Sequence, residues 1–405
     1  MDKVEFYEYL SKDVLKSIVR ENTTPCYLYF MKIIEKKLCD LKNCLPPQFK
    51  IHYAIKANPN KEIVRRMGEL GVGADVASRG ELKIALDSGI SEDRIELTGP
   101  GKTSEEIEYA IKRDICSINT ESISELKKIV KICKSINKTA KVGVRINPNA
   151  ERFDAGLRMS GDSQFGLQEP FLKKALEFIR SNSKVLQFSG IHIHSGSQML
   201  SEDLIINHFR DILDLALRIN TYHILKIRKI NFGGGWGINY FPNQKRLDLI
   251  RLKEGFKKIF KDPKYKNLLE GTKLTVEPGR FLVGECGLYA TRVLYCKKGI
   301  KKNFAVVDGG MHQHYLLAGG MGQVIRRNFE MDVFYEKDRK SIKLKKYDIV
   351  GCLCTPQDIL AVNLEWDREI KEGDTILFFN SGAYGFTASP VYFLSHTLPS
   401  EIIVT

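Results

Sequence analysis

The chain has 405 residues, 43% hydrophobic and 28% charged, a balance that excludes collagen-like, low-complexity and disordered classes. One domain usually takes about 100–200 residues, so the length predicts two domains or a barrel with an appendage. Lysine and arginine outnumber the acids 63 to 49, for a net charge of +14. The basic residues fall in short clusters such as Lys257-Lys258 and Lys297-Lys298, with no basic tail or RNA-stacking motif, so no nucleic-acid partner is expected and an acidic protein partner stays open. Along the chain, PCYLYF (25–30) reads as a strand. Eight short apolar or β-branched runs follow: IHYAIK (51–56), GADVAS (73–78), RIELTG (94–99), ICSIN (115–119), KVGVRIN (141–147), SGIHIHS (189–195), KINFGG (229–234) and KLTVEP (273–278). Amphipathic stretches at 61–70, 80–88, 104–113 and 121–135 separate them, the pattern of parallel strands with crossover helices. Eight such units in about 230 residues predict an α/β chain with a TIM (β/α)8 barrel. A polar, Gly-bearing insertion at 149–168 is placed to cover its active face.

After about residue 280 the texture changes to period-two runs with Gly or Asp turns: LYATRVLYCKKG, KNFAVVDGG, SIKLKKYDIVG, DTILFFNSGAYG and EIIVT. These predict a C-terminal antiparallel β domain whose sheet PCYLYF is expected to join, giving a barrel over 31–279 and a β-sandwich or β-barrel domain from 1–30 and 280–405. No apolar run reaches the roughly 18 residues of a bilayer span and the first residues are charged, so no membrane and a cytoplasmic location are expected. The nine cysteines are odd in number and lack C-x-x-C, which encodes neither a disulfide framework nor a metal site and predicts mostly buried, reduced thiols.

Functional groups of such barrels sit at the C-terminal strand ends, where this chain carries Lys56, Asp75, Arg145, His192, His194, Gly233 to Gly235, and Glu277-Pro278-Gly279-Arg280. A strand-end ammonium is costly to bury unless paired, and such a lysine suits a Schiff base with an aldehyde; alone, it could equally turn to solvent. Glycines after the seventh strand let backbone amides approach a phosphate, although a tight turn alone needs glycine too. Glu277, at a rigid corner, suits a protonated pyridine nitrogen, and His194 a flat ring, while a histidine alone is more often a core residue. The conjunction describes pyridoxal 5'-phosphate.

The segments YAIKAN, HIHSGSQ, FGGGWG, EPGR and GAYGF, in this order over essentially the whole chain, resemble the fold-type III pyridoxal-phosphate decarboxylases, the alanine racemase-like family of diaminopimelate and ornithine decarboxylases. The resemblance implies that Lys56 bonds the cofactor aldehyde and that His194 stacks on the ring. It implies further that Glu277 pairs with the pyridine nitrogen, that Ser197, Gly234, Gly235, Gly279 and Tyr384 bind phosphate, and that Asp75 lies near the cofactor. Arg280 would face the phosphate or a substrate carboxylate, and Cys354, in GCLCTPQD, would be presented across a homodimer with shared active sites, with Thr355 and Tyr384 near the substrate.

The chain also departs from diaminopimelate decarboxylases, which usually follow the cysteine with glutamate and carry an arginine-proline and tyrosine segment after the glycine stretch. Here Thr355-Pro356 follows Cys354, and the later segment reads MHQHYLLAGGMG. LCTPQD, DGGMHQH and SGAYGFTASPVYFLSH instead look like the branch with the butirosin-biosynthesis decarboxylase, which acts on glutamyl carried by an acyl-carrier protein, and the exosortase-associated decarboxylases. The expected activity is α-decarboxylation of an amino acid or aminoacyl substrate, with an acidic carrier as partner; meso-diaminopimelate is the alternative. Racemases of this fold place an arginine where Glu277 stands, and intact Lys56, Glu277 and Tyr384 disfavour a cofactor-free binding homologue.

Overall fold

A computed structural model describes residues 1–148, 157–158, 161–321, 327–337, 339–341 and 343–405. Half of the expected insertion at 149–168, residues 149–156 and 159–160, lies outside the described residues. The chain forms two compact units, one of Met1–Lys37, Ile238–Arg246 and Leu282–Thr405, the other of Leu38–Gly237 and Leu247–Phe281.

The first strand, β1 (Cys26–Phe30), belongs to the first unit. The second unit holds β2 (Phe49–Ala54), β3 (Gly73–Val76), β4 (Ile95–Thr98), β5 (Ser117–Thr120), β6 (Ala140–Asn147), β7 (Leu186–His192), β8 (Lys229–Asn231) and β9 (Lys273–Val276). Each pairs in parallel with the next, and β9 returns to β2, so the sheet closes as the expected eight-stranded barrel. Strands this short suffice because β3, β4 and β5 are buried along their whole length. The helices that follow begin where a polar side chain caps free backbone N–H groups. Asn60 accepts from Glu62, Ser78 from Glu81 and Ser122 from Glu125, while Thr103 and Glu106 form a reciprocal capping box. Each cap ends a βα loop sharply, which holds the strand ends in place for the site.

In the first unit, β10 (Gly287–Lys298) is the axis of a largely antiparallel sheet with β11 (Asn303–Val307), β12 (Met331–Phe334), β13 (Lys345–Val350), β14 (Ile359–Trp366), β15 (Thr375–Phe378) and β16 (Ser400–Val404). β1 does join this sheet, antiparallel to β10 and parallel to β16; β11 and β13 are likewise parallel. All nine cysteines are free thiols, but the expectation that most are buried fails. Cys26, Cys44, Cys133 and Cys286 are buried, Cys116 and Cys352 half-buried, and Cys39, Cys296 and Cys354 exposed. Among the described residues no helix is long and apolar enough to cross a membrane.

Candidate active site

β2 stops at Ala54 and the chain passes through a single 3-10 turn, Ile55–Ala57, which leaves the Lys56 side chain 44% exposed at the barrel end. Its Nζ stands 3.4 Å from Oδ2 of Asp75, which lies on β3 and is 3% exposed. Burial, and then the neighbouring Glu277 carboxylate, raise the Asp75 carboxyl above its ordinary range, against the pull of Lys56 and His192. Its Oδ1 meets no hydrogen-bond partner among the described residues.

Glu277 follows β9 and turns into the barrel. Its Oε2 lies 2.8 Å from Nε2 of the buried His192, and its Oε1 accepts from Asn231 Nδ2 at 2.5 Å. Burial pushes Glu277 upward, but the charge and hydrogen bond of His192 outweigh it and hold the carboxyl below its usual value. The same Asn231 amide donates to Glu96 Oε2 at 3.2 Å, so one side chain bridges two carboxylates. Glu96, on β4 and wholly buried, also accepts from Asn119 at 3.0 Å and lies 2.9 Å from Lys229 Nζ and 3.2 Å from His52 Nδ1. Both contacts have ion-pair distance without hydrogen-bond alignment. Burial raises Glu96, yet Lys229 and His52 win and keep it well below the carboxylate range, while Glu96 lifts Lys229 in return. A barrel interior usually filled by aliphatic side chains here carries a charged, hydrogen-bonded column ending at Glu277.

His194, just past the end of β7, is half-buried, and its Nδ1 accepts the Gly234 N–H at 3.0 Å. That bond assigns the ring proton to Nε2, and burial followed by the positive charges of Lys56 and Arg145 keeps the imidazole neutral. The glycine turn has a packing reason of its own. A Cβ on Gly234 would lie 2.1 Å from the Glu277 carbonyl oxygen, and Gly235, at φ +94°, would put one 2.2 Å from that of Gly196. Ser197 sits in a two-residue strand, Gly196–Ser197, paired antiparallel with Leu157–Arg158. Gly279 packs against Ala54 and Ala57, and Arg280 is buried beside it in sequence. Arg145 makes a buried ion pair with Glu121 at 2.9 Å.

The second unit thus brings together Lys56, Asp75, His194, Gly234, Gly235 and Glu277 at one end of its barrel. Tyr384, Cys354 and Thr355 belong to the first unit. There Tyr384 adopts a left-handed φ of +53° and is half-buried, while Cys354 is exposed in a bend and not in a strand. Sequence reading placed His192 at a strand end without a role and overlooked Glu96, Lys229, His52, Asn119 and Asn231. Their signal was a polar residue inside an apolar strand run, as in KIN and RIELTG.

The arrangement fits the cofactor that the resemblance implies. A primary amine stands beside a carboxylate, an ionised carboxylate is oriented inside the barrel, and a neutral ring borders a glycine turn. Asp75 Oδ1 and Ser195 Oγ are buried with no hydrogen-bond partner among the described residues, as expected of groups that await a polar ligand.

Residues 31–284 match the family described as pyridoxal-dependent decarboxylase, pyridoxal binding domain. The chain is 34% identical to L-glutamyl-(BtrI acyl-carrier protein) decarboxylase of Niallia circulans, over 97% of this chain and 92% of that one. It is 31% identical to diaminopimelate decarboxylase of Aquifex aeolicus, over 93% and 86%. The crystal structure of diaminopimelate decarboxylase from Helicobacter pylori complexed with L-lysine superposes with a TM-score of 0.84 at 28% identity, covering 96% of this chain and 94% of that one.

Proposed function

The chain belongs to the pyridoxal-dependent decarboxylases, and we propose that it removes the α-carboxylate of an amino acid whose far end is carried on an acidic carrier protein. The observation that carries this reading is the segment Cys354-Thr355-Pro356 together with the 34% identity to the carrier-linked glutamyl decarboxylase. A neutral Thr355 offers no charge to a distal ammonium. The +14 surplus supports docking of an acidic partner.

When bound, pyridoxal phosphate supplies the electron sink for the pair left at Cα as carbon dioxide departs. In our reading Lys56 holds its aldehyde carbon, and Gly234, Gly235, Ser197, Gly279, Arg280 and Tyr384 hold its phosphate. His194, neutral and fixed by the Gly234 N–H, offers an uncharged flat face to the ring. Glu277, kept ionised by His192 and oriented by Asn231, holds a proton at the ring nitrogen. Asp75 keeps the Lys56 ammonium at the barrel end. Lys56 Nζ or Cys354 Sγ returns the proton to Cα, the thiol coming from the other subunit of a homodimer.

Carbon dioxide release from free glutamate, meso-diaminopimelate and a glutamyl thioester on an acyl-carrier protein tests the reading. The thioester is expected to be the best substrate. Turnover of meso-diaminopimelate with kcat/KM of about 10⁴ M⁻¹s⁻¹ or above would overturn it.

A further inference from the structure

We infer that His312, Cys352 and His396 form a binding site for a zinc-class divalent metal ion, independent of the decarboxylation reading. The three residues lie in separate loops of the first unit and offer one ligand atom each, all within 4.8 Å of one another. Cys352 Sγ stands 3.9 Å from His396 Nε2, and the two imidazole rings are 5.0 Å apart between centroids. Zinc bonds of about 2.0–2.3 Å place neighbouring ligand atoms of a tetrahedral ion about 3.3–3.8 Å apart, so small side-chain rotations close the site.

Two further observations point to a ligand. His312 is 0% exposed, yet neither of its ring nitrogens has a hydrogen-bond partner among the described residues. Burying an imidazole with both nitrogens idle is costly, and one bond to a metal removes much of that cost. The loops that present His312 and Cys352 are also tied together in advance. Asp358 accepts from Met311 N at 2.6 Å through Oδ1 and from Leu353 N at 2.8 Å through Oδ2, and Cys352 N donates to Gly309 O at 3.0 Å. One carboxylate therefore fixes the backbone beside each of two ligands, the kind of support that orients metal sites.

The donor set selects the ion. Two imidazoles and a thiolate suit zinc and other borderline-soft cations and not magnesium or calcium, which take oxygen. Cys352 ligates as the thiolate, so its proton passes to solvent as the metal–sulfur bond forms. Three protein ligands leave a fourth position for water or a small ligand.

The test uses the full-length holoenzyme, stripped with a chelator, loaded with zinc and washed, with metal counted by atomic emission. About one zinc per chain is expected, falling about tenfold or more in His396→Ala and in Cys352→Ala. Cobalt loading should give a thiolate-to-cobalt charge-transfer band that Cys352→Ala lacks. His396 is exposed, so its variant decides the matter even where Cys352→Ala misfolds. No zinc retained by the wild type, retention undiminished in His396→Ala, or a cobalt spectrum without the thiolate band would each overturn the inference.

Discussion

Lys56 combines two properties that a covalent cofactor anchor needs: its amine reaches solvent at the barrel end, and Asp75, 3.4 Å away, holds it over the site. Borohydride treatment of the purified protein should therefore leave the pyridoxyl group on Lys56, read by peptide mass mapping. Label on another lysine would sink the assignment. One of the residues that sequence reading missed makes a second prediction. Asn231 donates to both Glu277 and Glu96, and a hydrogen bond to a charged group contributes about 1.5–3 kcal/mol. Asn231→Ala removes that donor from the ionised form of Glu277, so the folded pKa rises. The acid limb of the kcat/KM profile should then move to higher pH by about one to two units. An unmoved limb with lowered activity would mean that Asn231 acts on packing alone.

At the scale of elements, the turn from β8 into the glycine run decides whether the cofactor groups meet. Gly235 needs φ +94° and has the Gly196 carbonyl oxygen where a Cβ would go, at 2.2 Å. Gly235→Ala must shift one of two backbones, at a cost of about 1–3 kcal/mol. Cofactor retention after dialysis should fall about tenfold while far-ultraviolet circular dichroism stays unchanged; full retention would argue against a role for this turn. All eight barrel strands were legible because each falls in an apolar or β-branched run, and those from β2 to β5 are each followed by a capping residue. β12 and β14 were not. The second carries Asn363 at φ +50° and pairs with β13 through register shifts that blur a period-two pattern. The candidate site was legible where polar residues end a strand, as at Lys56 and Glu277. It was illegible where Glu96, Lys229 and Asn231 lie within strands, because only closure of the barrel brings the interior positions of two strands far apart in sequence into one column.

At the scale of the whole molecule, a shared site predicts complementation. Mixing inactive Lys56→Ala with inactive Cys354→Ala protein should restore activity, since a heterodimer then has one site with both lesions and one with neither. No recovery after verified subunit exchange would argue against sharing. Acid sensitivity follows from two buried neutral histidines, one in each unit. Burial lowers His208 to about 4 and His314 to about 3. His314 is packed among Tyr27, Tyr289 and Phe329, with no hydrogen-bond partner for either ring nitrogen among the described residues. Both folded values lie below the ordinary 6.5 of a histidine, so on acidification the unfolded chain takes up these protons first. Stability from this source is complete above about pH 6.5 and is lost as pH falls toward about 4 and about 3, His314 alone accounting for about 2 kcal/mol at about pH 5. His314→Phe keeps a flat ring in an aromatic setting and removes the titration. Its denaturant midpoint should therefore fall less than the wild type's between about pH 7 and about pH 5. Equal falls in the two proteins would show that protonation of His314 does not contribute to acid unfolding.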